Sequence, residues 1–376
     1  MRDRTLFAKH LILALLATIA GCRQSVQPHP SLPRGYPESY AGIIARARGE
    51  AALNIWSATD HRQVRELIAD FVRSYPGIDV RYRDMPASLL HERFLADARG
   101  SRNSADLLWS PAMDLQIKLV NDGYAQSYAS PEKAQLPGWA NWKNQAWGVT
   151  AEPIAMVYNR RLLAPGDAPA SHLELQRLLE ARPPALAGKV ATYDPAASAA
   201  GYLYLSQDDL ASRDIWRLVR GLSANRVRLF TTTEAIIADV AAGKSVIGYN
   251  VAGSYAFEKQ RQNPDLAVVL PRDYTLLMSR IAMIPARAPH PNAARLFLDF
   301  LLSKRGQRHL VAHSMPSVRG DVAMPASLRA PGARARAIKV GPALLVVQDR
   351  LTRRRFMKRW RRALDDGSAA APVSST

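Results

Sequence analysis

Short apolar segments alternate with amphipathic helical segments through most of the sequence, and this alternation is its most restrictive feature. Residues 53–56 form an apolar segment of strand length, and residues 78–82, with the apolar residues Ile78, Val80 and Tyr82, are the next predicted strand. Residues 60–74 lie between them and repeat their apolar side chains at helical spacing. Residues 106–109 form a third apolar segment after another helical stretch. This strand–helix–strand order predicts a doubly wound, mostly parallel sheet.

A second series of the same kind follows the first. Residues 154–158 and 189–193 are predicted strands on either side of a predicted helix at 171–182. Further strands are expected at 228–230, 245–249, 267–270 and 280–284, and further helices at 198–207, 212–222, 233–242, 254–262, 291–302 and 304–313. The chain is therefore expected to be an α/β protein.

Length and composition agree with two folded domains. The 376 residues are 48% hydrophobic and 22% charged, which supplies sizeable cores and excludes a disordered or collagenous chain. The single Cys excludes an intrachain disulfide and a Cys-rich zinc site. Beyond residue 21, no apolar run approaches the roughly 20 residues needed to span a bilayer, so the body is expected to be soluble.

The N-terminus is predicted to be a targeting segment. Basic residues precede the apolar run 11–20, as they do in a signal peptide. The run ends in Ile19-Ala20-Gly21-Cys22, which resembles a bacterial lipobox. The resemblance implies a signal peptide at 1–21, lipid on Cys22, a polar tether at 22–50, and a lipid-anchored protein facing the periplasm of a bacterial envelope. The alternative is a buried N-terminal helix with an incidental Cys.

The positive charge is concentrated at the C-terminus. The chain carries 51 Lys and Arg against 32 Asp and Glu, a net charge of +19, and residues 323–376 contribute 12 of those cations against 3 Asp. Nucleic acid is the usual partner of so basic a chain, but a secreted lipoprotein seldom meets it. An anionic ligand or a lipid surface is therefore favoured over nucleic acid, and a merely Arg-rich composition is the alternative.

Motifs for catalysis and metal binding fail on inspection. The second His of a zincin helix would stand at Leu95, and the first Gly of a Walker A loop at Ala238. A nucleophile elbow would need Gly at Ala252. His309 and His313 could face one metal ion, but no further ligands lie near them in sequence. An enzyme is therefore not expected.

Several segments together resemble the extracellular solute-binding proteins of ABC transporters. The segments that carry the resemblance are 53–59, 75–78, 104–110, 121–125, 157–159, 194–195, 201–202, 288–291, 297–303 and 306–307. They are distributed in order along residues 51–321, and this order and spacing carry the resemblance. Within this family the chain resembles two branches, the ferric-ion binding proteins and the proteins that resemble phosphoglycerate transport regulators.

The resemblance implies a two-lobed, type II periplasmic-binding fold with a ligand between the lobes. Lobe 1 would comprise residues 51–150 and 275–321, and lobe 2 residues 151–274. Residues 322–376 would be a basic C-terminal extension with a helix. The implied partners are a small-molecule ligand and an ABC permease, for a monomeric protein without a cofactor. The alternatives are a ligand sensor coupled to a membrane two-component kinase, a ferric-ion binding protein and, less favoured, a non-transport hydrolase.

The iron site of the ferric branch does not carry over. That branch usually holds ferric ion with two adjacent tyrosines, whereas Tyr249 and Tyr255 stand six residues apart. The histidine often found after the first strand falls near His61, displaced by about one residue. Since ferric ion requires clustered oxygen ligands, no metal site is predicted.

The predicted ligand is instead a small anion. In parallel sheets, the loops after strands and the starts of the following helices share one edge, and helix N-termini favour negative charge. The predicted ligand-binding residues are Ser57, Ala58, Thr59, Ser110, Ala112, Ser198, Gly201, Tyr202, Asn250, Gly253 and Tyr255. The serines and Thr59 are alternatively plain helix caps, and the tyrosines half-buried packing residues. Glu152 is expected near the first crossing strand, as a hinge or a ligand contact.

The C-terminal extension is predicted to contain an amphipathic helix. Phe356, Met357, Trp360 and Leu364 share one face, and basic side chains cover much of the remainder. The helix either packs its apolar face on a lobe or contacts anionic lipid or the permease.

Overall fold

A computed structural model describes residues 32–100, 102, 104–181, 186–329 and 334–369. The chain divides into two units, residues 1–36 and 37–376, and the helices and strands of the described residues lie in the second. The strands are β1 Ala52–Ser57, β2 Asp79–Asp84, β3 Leu107–Ser110, β4 Asn141–Trp142, β5 Ala146–Gly148, β6 Glu152–Asn159, β7 Val190–Tyr193, β8 Arg228–Phe230, β9 Ile247–Ala252, β10 Leu266–Val269, β11 Thr275–Met278, β12 Ile281–Met283 and β13 Ala335–Ala337. The helices are α1 Tyr40–Glu50, α2 His61–Ser74, α3 Ala87–Arg99, α4 Met113–Asn121, α5 His172–Glu180, α6 Ala199–Ala211, α7 Ile215–Ala224, α8 Thr233–Ala241, α9 Gly253–Gln262, α10 Pro291–Leu302, α11 Lys304–Ala312, α12 Ala343–Gln348 and α13 Arg350–Ala369.

The strands form two sheets, each with its own helices, and this confirms the predicted two-lobed α/β fold. The first sheet has the order β2-β1-β3-β12-β5-β4, and the second β13-β11-β6-β9-β7-β8, with β10 beside β6. Strands β2, β1 and β3 are parallel, as are β9, β7 and β8. The remaining part of each sheet is mixed, because β12 and β6 run antiparallel to their neighbours.

Two crossings between the sheets frame lobe 2, and a third leads from α11 to β13 in the second sheet. The chain leaves the first sheet after β5 and enters the second at β6, and it returns between β11 and β12. β11 lies within the range expected for lobe 1, but it pairs with β6 in the second sheet. The sequence 275–284 reads as one nearly continuous apolar segment, so its pattern alone does not mark the crossing at Ser279 and Arg280.

Local signals explain how individual elements begin and end. Asp60 caps α2 by accepting a hydrogen bond from Arg62 N at 2.9 Å, and Val64, Leu67 and Phe71 bury one face of that helix. Gly77, with φ of +92°, turns the chain into β2. These elements match the predictions made from periodicity.

The segment expected to be a tether contains a helix. Residues 40–50 form α1, whose Tyr40, Ile44 and Ala47 are buried at helical spacing. The helix packs on α10, where the Tyr40 hydroxyl donates to Asp299 Oδ2 at 2.7 Å. Packing on lobe 1 therefore begins about ten residues before β1, because Tyr40, Ile44 and Ala47 give α1 an apolar face. This face was not recognised in the sequence.

The C-terminal extension is folded against both lobes. β13 adds a strand beside β11, α12 packs on α4, and α13 packs on α7. The ring of Phe356 lies 5.1 Å from that of Tyr202 and 5.2 Å from that of Trp216, and Trp360 is also buried. Of the two alternatives, the structure therefore shows that the apolar face of α13 packs on lobe 2. Among the described residues, no helix is long and apolar enough to cross a membrane.

Candidate functional site

A cavity of about 510 Å³ lies among elements of both lobes. From lobe 1 it is lined by Ala58 and by the starts of α3 and α4, and from lobe 2 by the starts of α6, α8 and α9. Its lining residues are Ala58, Pro86, Ala87, Ser88, Pro111, Ala112, Glu152, Tyr193, Ala196, Ala197, Ser198, Ala199, Ala200, Leu203, Tyr204, Thr231, Thr232, Thr233, Glu234, Ala252, Tyr255, Met278, Arg280 and Arg353.

Five helices begin at this cavity. Ser198 caps α6 through Gly201 N at 3.2 Å, and Thr232 caps α8 through Ala235 N at 3.1 Å. The N-cap positions of α3, α4 and α9 are Pro86, Ala112 and Ala252, and no side chain caps these three helices. The positive dipole ends of these helices therefore lie at the cavity, and in α4 one first-turn N–H is already engaged, since Met113 N donates to Pro111 O at 2.9 Å.

Arg280 and Glu152 form a buried ion pair at the floor of the cavity. Arg280 Nε lies 2.8 Å from Glu152 Oε1, and the residues are 1% and 0% exposed. Arg280 Nη1 also donates to Thr59 Oγ1 at 2.8 Å, and Thr150 Oγ1 donates to Glu152 Oε1 at 2.8 Å. Burial by itself raises the pKa of Glu152, but the Arg280 charge and the hydrogen bonds outweigh it, so the pKa lies below its ordinary value.

Tyr255 covers this ion pair from the lobe 2 side. Its ring centroid lies 5.4 Å from Arg280 Cζ, within the range of a cation–π interaction. Burial raises the pKa of the Tyr255 hydroxyl, which stays protonated and able to donate. The cavity therefore combines an aromatic hydroxyl, exposed helix N-termini and a neutralised ion pair.

The structure brings four of the predicted site residues into the cavity lining, namely Ala58, Ala112, Ser198 and Tyr255. Three others lie directly behind that lining and brace it. Ser57 Oγ donates to Trp109 O at 2.9 Å, Thr59 Oγ1 accepts from Arg280, and Ser110 Oγ accepts from Ala112 N at 3.2 Å. These polar side chains order the loops that surround the cavity.

Four predicted residues lie outside the lining. Asn250 Nδ2 donates to Asp208 Oδ2 at 2.7 Å, and the Tyr202 hydroxyl donates to Val347 O. A Cβ on Gly201 would stand 2.4 Å from Tyr193 Cβ, and a Cβ on Gly253 would stand 2.6 Å from Pro153 O. Both glycines therefore allow close packing of a helix on a strand, not the close approach of a ligand. Cys22 lies outside the described residues.

Most of the remaining lining residues, including Arg280, were not predicted from the sequence. The available signal was one cation within the apolar segment 275–284, since an unpaired Arg is rarely buried. The hydroxyl run Thr231–Thr233 before α8 was a second signal. Residues 86–88 at the start of α3 carry no comparable chemical pattern.

The two tyrosines weighed as iron ligands face different surroundings. Tyr255 lines the cavity, whereas the Tyr249 hydroxyl donates to the buried Asp208 at 2.9 Å. Tyr249 also packs against the ring of His172 at 5.8 Å. In the described part of the chain, no three His, Cys, Asp or Glu side chains are grouped to hold a metal ion.

Comparison with known proteins decides the family. A sequence model described as bacterial extracellular solute-binding protein matches residues 66–333. The chain belongs to this family. The substrate-binding protein of an ABC transporter from Agrobacterium tumefaciens is 36% identical, with a TM-score of 0.76 over 83% of this chain and 94% of that one. Comparison with curated protein sequences finds no match.

Two more distant structures share the fold of this solute-binding protein. Iron-bound HitA from Pseudomonas aeruginosa is 17% identical, with a TM-score of 0.66 over 83% of this chain and 99% of that one. AfuA from Actinobacillus pleuropneumoniae, with exogenous fructose-6-phosphate bound, is 16% identical. Its TM-score is 0.68 over 84% of this chain and 98% of that one. The family consists of extracellular binding proteins, so the expectation that the chain is not an enzyme is confirmed.

Proposed function

We propose that the protein captures a small organic anion in the cavity between its lobes and delivers it to an ABC permease. The observation that carries this proposal is the convergence of five helix N-termini on one cavity of about 510 Å³. Backbone N–H groups at helix starts bind phosphate and carboxylate groups without a fixed counter-charge. The permease is proposed from the ABC transporter relative, which is 36% identical.

The size and chemistry of the cavity favour an organic ligand over a bare ion. Its volume lies within the range of pockets that hold metabolites, about 300–1,000 Å³. Ala199, Ala200, Leu203 and Met278 supply an apolar wall beside the hydroxyls of Ser88 and the run 231–233. A phosphorylated sugar or a phosphorylated carboxylic acid combines both features, and fructose-6-phosphate is the ligand in the AfuA structure.

Ferric ion is the less suitable ligand. Of the two tyrosines, only Tyr255 faces the cavity, and Glu152 already pairs with Arg280. Binding a hard trivalent cation would require several free anionic oxygens. Among the described lining residues, Glu234 is the one remaining carboxylate, which is too few anionic oxygens for such a cation.

The protein is proposed to act in the periplasm, held to a membrane by lipid on Cys22. An anchored binding protein stays close to a permease while its folded domain samples the solute. The same binding event could serve a membrane sensor kinase, and a neighbouring kinase gene in place of permease and ATPase genes would indicate that role.

The test is a ligand screen followed by titration. The purified protein is mixed with inorganic phosphate, sulfate, 3-phosphoglycerate, fructose 6-phosphate, citrate or ferric citrate, and its unfolding temperature is measured. A ligand at about 100 times its Kd stabilises the fold by about 2.7 kcal/mol. We expect a phosphorylated compound to give the largest shift, with and without a chelator. Stabilisation by ferric citrate alone, abolished by a chelator, would overturn the proposal.

Two tyrosine variants locate the binding site. Tyr255→Phe removes a half-buried hydroxyl donor from the cavity and should weaken binding of the best phosphorylated ligand by about 1–3 kcal/mol. Tyr124→Phe is the matched control, since Tyr124 packs on Phe94 away from the cavity. Equal affinities for the two variants would place the ligand elsewhere.

A further inference from the structure

The C-terminal segment, residues 334–369, passes from one lobe to the other and back. β13 pairs with β11 in the second sheet, and the chain then places α12 on α4, a helix of lobe 1. Directly afterwards, α13 returns to lobe 2 and packs on α7. The junction between α12 and α13 is therefore held by both lobes.

That junction lies beside the cavity. Gln348 Nε2 donates to Asp114 Oδ2 in the first turn of α4, and the Tyr202 hydroxyl donates to Val347 O. Asp114 and Tyr202 belong to the N-terminal parts of α4 and α6, two helices that begin at the cavity. The side chain of Arg353, one turn into α13, reaches the lining itself.

Arg353 differs from the other cavity cation in its partners. Arg280 is matched by Glu152 and donates to Thr59 as well. The guanidinium of Arg353 stacks on Tyr202 at 4.7 Å from the ring centroid, and it is only half-buried. Among the described residues, no carboxylate forms an ion pair with Arg353, and no hydrogen-bond acceptor is bonded to its guanidinium group. Stacking on an aromatic face orients a guanidinium and leaves its edge available to an anion.

In the described structure, the buried carboxyl groups near Arg353 form no ion pair with it. Asp114 accepts from Gln348, and burial raises the pKa of its carboxyl, while its hydrogen bonds and the nearby Arg353 charge oppose that rise. Glu152 is engaged by Arg280, and Glu234 is exposed at the start of α8 on the cavity lining. One cation thus faces the cavity without a buried anionic partner.

We propose that Arg353 is a ligand-contacting residue that pairs with the phosphate group of the bound anion, at the end of the cavity formed by α4 and α6. This inference rests on the proposed function, and it deepens it by assigning the charged end of the ligand. The forked guanidinium gives two parallel hydrogen bonds to a phosphate. The family match ends at residue 333, so this contact is supplied by a part of the chain beyond the matched region.

The test compares neighbouring arginines of α13. Arg353→Gln removes the charge but keeps a polar side chain of similar reach, and Arg354→Gln, at an exposed position, is the matched control. Calorimetric titrations use the phosphorylated compound from the screen, 3-phosphoglycerate or fructose 6-phosphate, that stabilises the wild-type protein most. We expect roughly 10- to 100-fold weaker binding for Arg353→Gln and no change for Arg354→Gln.

Salt dependence separates a charge contact from mere support of the fold. The affinity of the wild-type protein should fall as ionic strength rises, and this dependence should be shallower in Arg353→Gln but unchanged in Arg354→Gln. Arg353→Lys should recover part of the affinity. Wild-type affinity in Arg353→Gln, or a loss with unaltered salt dependence, would overturn the role of Arg353 while leaving the anion site intact. Binding of citrate but of neither phosphorylated compound would overturn the role of Arg353 alone, whereas failure of every organic anion of the screen to bind the wild-type protein would overturn the proposed function together with this inference.

Discussion

Arg280 and Glu152 pair across the two connecting segments that frame lobe 2, with Arg280 Nε 2.8 Å from Glu152 Oε1. Glu152 begins β6, directly after the chain leaves the first sheet, and Arg280 lies on the return path between β11 and β12. Both are almost entirely buried. The pair therefore ties the two connections together beneath the cavity, and each charge depends on the other for compensation.

Breaking this pair should destabilise the protein strongly. Arg280→Met leaves the Glu152 carboxylate buried without its cation, which costs about 3–5 kcal/mol in comparable sites. The double variant Arg280→Met with Glu152→Gln should be more stable than Arg280→Met alone, because no unpaired charge is then buried. Urea unfolding of the single and double variants measures the coupling.

An exposed pair provides the contrast. Arg62 and Asp60 lie 2.7 Å apart, but their side chains are 85% and 34% exposed. Arg62→Ala should leave the unfolding midpoint almost unchanged. A loss of stability as large as that of Arg280→Met would contradict the conclusion that burial makes the Arg280–Glu152 pair important for stability.

Stability should fall as pH rises between about 4 and 7 because of Asp299. Burial raises the pKa of its carboxyl to about 7 from its ordinary value of 3.8, despite hydrogen bonds from Tyr128 and Tyr40. In this range the folded state holds a proton that the unfolded state releases, so unfolding becomes more favourable with increasing pH. The effect is on the order of 4 kcal/mol at most. Urea unfolding at several pH values checks it.

Asp299→Asn should flatten that pH profile, since the amide cannot titrate. Asp321→Asn is the control: Arg319 lowers the pKa of Asp321, which is therefore charged in both states above pH 5. Its profile should follow that of the wild-type protein. A profile that stays steep in Asp299→Asn would show that another group is responsible.

Substituting a glycine that allows close packing should lower the free energy of unfolding. Gly201→Ala would place a Cβ 2.4 Å from Tyr193 Cβ, and we expect a loss of about 1–3 kcal/mol from the forced shift of α6. At Gly138 no atom lies within 4 Å of an added Cβ, so Gly138→Ala should be tolerated. Thermal unfolding of both variants is the measurement, and equal unfolding temperatures would contradict the packing role.

Lipid attachment at Cys22 stays a prediction of the sequence. Cys22→Ser should abolish incorporation of labelled fatty acid and release the protein from the membrane fraction, because serine lacks the thiol that receives the lipid. Mass spectrometry of the wild-type N-terminus provides the positive control. Membrane retention and processing of Cys22→Ser at wild-type levels would refute the lipoprotein assignment.

Elements with a strong local pattern could be predicted from sequence. The boundaries expected for α10, residues 291–302, agree with the structure, and those for α2 and α11 differ by about one residue. Apolar periodicity and helix caps depend on residues that are close together in the sequence. They can therefore be recognised without knowledge of the tertiary structure. α12 and β13 lack such patterns, and they form because α4 and β11 offer surfaces for them.

The order of strands and helices, the signal-like N-terminus and the family resemblance follow from local patterns that can be read along the chain. The tertiary structure decided which helix starts share one cavity, that Arg280 meets Glu152, and that Arg353 reaches the lining from α13. It also assigned Gly201 and Gly253 to packing. Contacts between residues more than a hundred positions apart depend on strand order and register, and these arise only when distant apolar faces pack together.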